Sequence, residues 1–382
     1  MNLIDRYIFR SVLATCAAAV GLFTFIVLVP NVMRDMLAYV LAGQLSPLMF
    51  GQLILTLVPF AVTLALPMGL LTGVLLTLGR LSADSEITAL RAVGLSLPRI
   101  VRPILLLAGL GAALGLYFNF EAMPRARVTY ERNFAAAIAA NPLQLIVPKT
   151  FIRNFSNCVI YVDQKEGAVM KDVWLWKLDE EKRVKTLIHA ESGYVDYDET
   201  TSELIVTLTQ ARVENRDEKN PESFIESPYV ASFGKIEAAR LPLDRFFGHS
   251  GVRVKSEWLT LGQLQVERAR LAALPPPAPA DAKQAARDRM KIELVYQDKI
   301  NTALAVFSLA LIGVPLGIKV SRRETSANFG VALLLTLGYY LLTVAVKALD
   351  RHPEYRPDLL LWLPNLLLIG LGVWLFTRID RK

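Results

Sequence analysis

The sequence predicts an α-helical membrane protein, with six transmembrane helices in two sets of three and an antiparallel β-domain inserted between them. Three observations predict it. Apolar residues make up 53% of the 382 positions and mean hydropathy is +0.37, more than a soluble chain of this length has reason to carry. Charge-free apolar stretches recur six times. Between the third and fourth lies a segment of about 180 residues, far beyond the few residues typical of a loop.

The apolar stretches run from Ser11 to Met33, Met36 to Gly79, Pro103 to Phe120, Ile300 to Ile318, Thr325 to Val346 and Leu359 to Thr377. A helix needs roughly 20 apolar residues to cross the hydrocarbon core, and each stretch approaches or exceeds that. The second is too long for one crossing. Its opening, "MLAYVLAGQLSP", has turn chemistry at Gly43, Ser46 and Pro47, so a helix starting near Pro47 is predicted. The first follows Arg6 and Arg10 and has the outline of a secretory signal, but its length and the early position of Ala17 to Ala19 favour a retained span. One set of ends and short loops, from Arg6 through Arg80, Arg91 and Arg102 to Lys382, holds twelve Lys and Arg. The opposite set holds Arg34, Lys347, Arg351 and Arg356. That asymmetry places both termini in the cytoplasm and the inserted domain outside the cytoplasmic membrane. It also accounts for the formal charge of +7 without nucleic acid.

The inserted segment reads as short strands: "CVIYVD", "DVWLWKL", "VKTLIHA", "SGYVDYD" and "ELIVTLTQARVE". Gly167, Asp179 to Lys182 and Asp198 to Thr201 mark turns, and the spacing fits a sandwich, barrel or jelly roll. In "ELIVTLTQ" both faces are fairly apolar, which suits either a packed sandwich strand or a sheet with one face lining something greasy. Val206, Leu208, Trp174 and Trp176 are candidates for the β-domain interior. After it, "LAALPPPAPADAKQAARDRM" reads as a stiff Pro/Ala linker entering helix at Lys283. The predicted domains are 1–121 (first three helices, with a short cytoplasmic helix at 83–93), 122–273 (β-domain), 274–298 (linker and helical re-entry) and 299–382 (last three helices). Cys16 and Cys158 make no disulfide framework. His189, His249 and His352 have no metal-ligand spacing, so no metal site is predicted.

The polar island "LSADSEITALRAVGLS" carries helix punctuation. Ser82 is placed to cap it, Asp84 and Glu86 fall in or near the first turn, Arg91 in the last, and Gly94 and Pro98 act as stop signals. About eleven residues make a helix roughly 16 Å long, too short to span. Ile87, Leu90, Gly94 and Leu97 form one semi-apolar stripe. Docking into a partner's groove and simple connection of two spans both fit this pattern. Within the spans, Gly69/Gly73, Gly111/Gly115 and Gly313/Gly317 are G-x-x-x-G pairs suited to close helix packing, and Pro59, Pro67 and Pro315 are kink sites. Arg34 ends the first span and Lys347 the fifth, with Asp35 and Asp350 near enough to be charge partners.

The chain lacks a G-x-x-x-x-G-K-[ST] phosphate loop. No set of convergent acid, base or nucleophile groups stands out, so no catalytic residues are predicted. A membrane-anchored periplasmic scaffold or sensor, independent of any ATPase, remains a second reading of the residues.

"LPMGLLTGVLLTLGRLSADSEITALRAVGLS" resembles the corresponding stretch of the LptF/LptG family, the permease subunits of the lipopolysaccharide-export ABC transporter. "MNLIDRYIFRSVL" is similar to the family's N-terminus and "FIRNFSNCVIYVDQKEGAVMKDVWLWKLD" to the start of its periplasmic domain. "YQDKINTALAVFSLALIGVPLGI" and "ANFGVALLLTLGYYLL" are similar to its fourth and fifth spans. The resemblance implies three spans, a periplasmic β-jellyroll and three more spans in the bacterial inner membrane. It implies that the helix at the polar island is a coupling helix held by a cytoplasmic ABC ATPase dimer, with Glu86, Leu90, Arg91 and Gly94 as contacts. ATP and Mg would be bound by that ATPase and no cofactor by this chain. Further implied partners are a paralogous permease subunit, a periplasmic jellyroll bridge protein with its membrane-anchored adaptor, and lipopolysaccharide. The first and fifth spans would line lateral gates, which makes Arg34 and Lys347 candidate lipid-binding residues. The Pro/Ala stretch looks like an insertion relative to the family.

Overall fold

The computed structural model describes residues 3–41, 47–140, 146–155, 158–179, 181–198, 203–216, 229–242, 255–274, 282–319 and 325–380. The Pro/Ala stretch at 275–280 and His249 lie outside them, as do the side chains of Arg34 and Asp35. Two compact units are present, one of residues 1–31, 55–128 and 254–382, the other of residues 32–54 and 129–253.

The first unit is helical. α1 (Leu3–Leu41) and α2 (Pro47–Ala83) are followed by the short α3 (Glu86–Ala92) and by α4 (Leu97–Tyr117), which passes through a π-helical turn, Phe118–Ala122, into α5 (Met123–Ala140). Beyond the inserted domain come α6 (Leu261–Ala273), α7 (Ala282–Lys319), α8 (Thr325–Lys347), the single turn α9 (Pro357–Leu360) and α10 (Leu363–Asp380). Six helical stretches are long and apolar enough to cross a membrane: Leu3–Val32, Leu48–Ala83, Leu97–Asn133, Gln284–Ile318, Gly330–Asp350 and Pro357–Ile379. α2 begins at Pro47, where a proline's missing N–H costs nothing.

All three glycine pairs sit where another helix arrives. A Cβ on Gly73 would lie 2.6 Å from Cys16 Cα, one on Gly115 3.3 Å from Ala303 Cα, and one on Gly317 2.8 Å from Leu78 Cβ. Their role is therefore contact between helices, as small residues at membrane-helix interfaces provide. Several polar side chains inside the bundle are paired across helices. Asn365 of α10 donates to the Asn301 carbonyl of α7 (3.0 Å) and to its side-chain oxygen (2.9 Å), and accepts from Ser308 (2.9 Å), while Tyr339 of α8 donates to the same Asn301 carbonyl (3.2 Å). Asn301, Ser308 and Asn365 are all at most 1% exposed. With no water available to them, such groups stay paired inside the protein.

The second unit holds one six-stranded antiparallel sheet in sequence order: β1 (Ile152–Phe155), β2 (Cys158–Glu166), β3 (Val169–Leu178), β4 (Val184–Asp198), β5 (Glu203–Asn215) and β6 (Tyr229–Pro242). The inserted antiparallel domain of the sequence reading is thus present. "VKTLIHA" and "SGYVDYD", read as two strands, are one 15-residue strand continuous through Glu191. β1 and β6 are additions, the latter hidden by its Gly, Ala and alternating charges. One face of the sheet carries the core, including Ile160, Val173, Leu175, Ile188, Val206 and Leu208.

A fold line crosses the three central strands. Met170, Gly193 and Leu208 form one inward row and Val173, Ala190 and Ala211 the next, so inward residues are three apart along each strand instead of two. Asp172 and Gln210 take up the surplus residue in left-handed geometry, with φ of 51° and 52°, while the register between the three strands runs on without a shift. A side chain at Gly193 would meet the Thr207 carbonyl at 2.7 Å, so this corner needs glycine. The expectation for two tryptophans is reversed. Val206 and Leu208 are fully buried in the core, but Trp174 and Trp176 flank the inward Val173 and Leu175 and therefore point to the opposite, outer face. There they form an aromatic row: Trp174 stacks on Trp176 and His189 with ring centroids 6.1 and 4.1 Å away, and Phe151 lies against Trp176 and Tyr161. Asp172 accepts from Trp174 Nε1 at 3.0 Å and contacts His189 Nε2 at 2.8 Å.

Candidate functional site

At one end of the helical unit the N-terminal part of α1, the α2–α4 connection and the C-terminal end of α7 converge. Ser82 is not the cap of the short helix. It lies inside α2, and its hydroxyl donates at 2.8 Å to the Ile318 carbonyl, one of the last four of α7 that lack a partner within their own helix. Ser85 precedes α3 instead, in left-handed geometry (φ 60°) with no side-chain cap, and α3 is seven residues long, shorter than predicted. Ile87 is 4% exposed, and Leu90, Leu95 and Leu97 join it against the bundle core. The stripe predicted from spacing thus anchors α3 to its own chain.

This leaves an outer surface of Arg91, Ala92, Val93 and Gly94, with Val93 84% exposed. Gly94 has φ +91° and open space around it, so backbone conformation is what selects glycine there. Glu86 is half-buried and accepts a hydrogen bond from Tyr7 of α1 at 3.1 Å, while Arg80 of α2 donates to Ser11 of α1 at 2.6 Å. Of the four residues singled out here, Arg91 and Gly94 are outward, Glu86 is engaged laterally, and Leu90 is turned inward. Val93 and Tyr7 escaped the sequence reading. An apolar residue at the end of a charged helix was the available signal for Val93, and nothing local signals Tyr7.

At the opposite end, polar residues from "YQDKIN" gather. Lys347 is paired with Asp298 of α7 at 2.8 Å, not with Asp350. Lys299 is 4% exposed and donates at 2.7 Å to the Asn119 carbonyl in the π-helical turn, where the ordinary helical ladder is interrupted. Gln297 accepts from Trp362 Nε1 at 3.2 Å, and Arg356 makes a two-pronged contact with Asp358, itself only 5% exposed. α6 folds back onto this end, burying Leu264 against Phe120 and Ile292, and Arg268 pairs with Glu293 at 2.8 Å. Sequence reasoning treated "YQDKIN" as part of a span opening and missed this cluster.

Comparison with known proteins follows the same organisation from end to end. Residues 6–378 match the model of the family described as lipopolysaccharide export system permease LptF/LptG. The lipopolysaccharide export system permease proteins LptF of Escherichia coli K12, Escherichia coli O157:H7 and Shigella flexneri are each 24% identical over 381 residues, covering 97% of this chain and 93% of theirs. With six helices able to cross a membrane, an inserted antiparallel sheet and a match over nearly its whole length, the chain belongs to the LptF/LptG family of lipopolysaccharide export permeases.

Proposed function

We propose that this chain is a permease subunit that takes lipopolysaccharide from the outer leaflet of the inner membrane and passes it to a periplasmic β-jellyroll bridge. A separate cytoplasmic ATPase dimer supplies the energy and binds ATP and Mg. Both termini lie in the cytoplasm and the sheet domain in the periplasm, in keeping with the distribution of basic residues. A paralogous permease completes the lipid chamber, and the bridge protein's membrane-anchored adaptor joins it. Arg34 and Lys347 mark the outer rim, where the lipid's anionic groups pass, and the inner face of the sheet, with Val206 and Leu208, takes the acyl chains.

The observation that carries the reading is the seating of α3. Its exposed surface of Arg91, Val93 and Gly94 is available to a partner, while its other contacts lead into α1 through Tyr7 and into the bundle core through Ile87. Movement imposed on α3 would therefore reach the spans, which is what coupling between two sites requires. Reversing the charge with Glu86→Lys is expected to abolish co-purification of the ATPase and nucleotide-dependent lipid release, with little change in melting temperature. If the ATPase stays bound and release continues, docking at α3 is wrong.

A further inference from the structure

A cavity of about 300 Å³ opens at the Lys299 end of the helical unit. Its charged lining is Lys291, Lys299 and Lys347 against Glu257, Asp298 and Asp350, which sums to zero. Two of these groups have unused capacity. Lys299 is 4% exposed, and among the described residues its ammonium makes one hydrogen bond, to the Asn119 carbonyl, leaving donors over. Asp298 Oδ1 is buried and charge-paired with Lys347 Nζ at 2.8 Å, but among the described residues it accepts no hydrogen bond. A buried ammonium with donors to spare is costly until they are used, and the Asp298 oxygen has lone pairs left to offer a second cation.

We propose that this cavity binds the zwitterionic headgroup of a membrane phospholipid of the phosphoethanolamine type. The phosphate is held by Lys299 and Lys291, and the ammonium by Asp298, Glu257 and Asp350. The neutral lining decides the class: a headgroup with several phosphates would bring its second charge against the three carboxylates, whereas one phosphate joined to one ammonium satisfies both sets. A lipid source follows from the surroundings. Leu294 and Val295 line the same cavity, and the apolar stretch Gly330–Asp350 ends at it, where a headgroup would lie. The bound lipid is a resident component that shares Lys347 with the rim of the proposed export path, and its retention is read in the isolated chain without export.

The test uses the full-length chain, stripped of lipid in mild detergent and offered an equimolar mixture of phosphatidylethanolamine and phosphatidylglycerol, with retention read by native mass spectrometry. Phosphatidylethanolamine is expected to be retained about tenfold over phosphatidylglycerol, the scale of one charge-assisted contact. Lys299→Met and Glu257→Gln should each remove most of that preference. Glu257 is exposed, so its variant keeps the test valid if Lys299→Met fails to fold. Soluble O-phosphoethanolamine should displace the lipid. Equal retention of the two lipids, an unchanged preference in Glu257→Gln, or no displacement by saturating O-phosphoethanolamine would overturn the assignment.

Discussion

The two polar ends of the helical unit use opposite chemistry. At the α3 end the side-chain to side-chain polar contacts between elements are exposed, as between Tyr7 and Glu86 or Arg80 and Ser11. At the other end, polar groups sink into the bundle: Lys299, Asn301, Asp358 and Asn365 are each at most 5% exposed. Exposed pairs gain little because water competes for both partners, so a partner protein can exchange them at small cost. Buried groups have no such alternative, and removing one strands its neighbours. One end is thus built to be regripped and the other to keep its geometry.

The sharpest break in this contrast should come from Asn365→Leu, which removes three hydrogen bonds and takes the donor from the buried Asn301 side-chain oxygen, while Ser308 keeps the Leu304 carbonyl and the Asn301 carbonyl keeps Tyr339. A loss of roughly 1–3 kcal/mol is expected, read by thermal unfolding in detergent. A double-mutant cycle on Lys347 and Asp298, with side chains 46% and 25% exposed, should give a coupling of about 0.5–1 kcal/mol, reduced by salt. The same cycle on Tyr7→Phe and Glu86→Gln should fall below about 0.5 kcal/mol in the isolated chain. A Tyr7–Glu86 coupling as large as the Asn365 effect would abolish the distinction between the ends.

Hydropathy and charge made the six spans and the inserted domain legible, because both are sums over many residues and tolerate local error. The start of α2 at Pro47 and the position of the short helix near Glu86 were legible as well. What escaped depends on direction rather than composition. The apolar stripe of Ile87 and Leu90 was visible, but spacing alone does not tell whether a stripe faces a partner or its own bundle. "YQDKIN" looked like the polar edge of a span because Asn119, Lys347 and Asn365, which use its donors and acceptors, lie 180, 49 and 64 residues from their partners in sequence. Trp174 and Trp176 were misplaced because "VWLWKL" is apolar on both faces, and composition does not tell that Val173 and Leu175 are the pair that turns to the core. Cys158 shows what the correct face brings: burial pushes its thiol up to about 12, which keeps it protonated inside the sheet core.

That fold line constrains how the domain can change. Losing a single position from β4 near Glu191 would turn the rest of that strand inside out relative to β3 and β5, unless both neighbours shed a position at the same level. Length differences among related chains should therefore collect in the hairpin tips, and a lineage that lost the corner would have to lose it from three strands together.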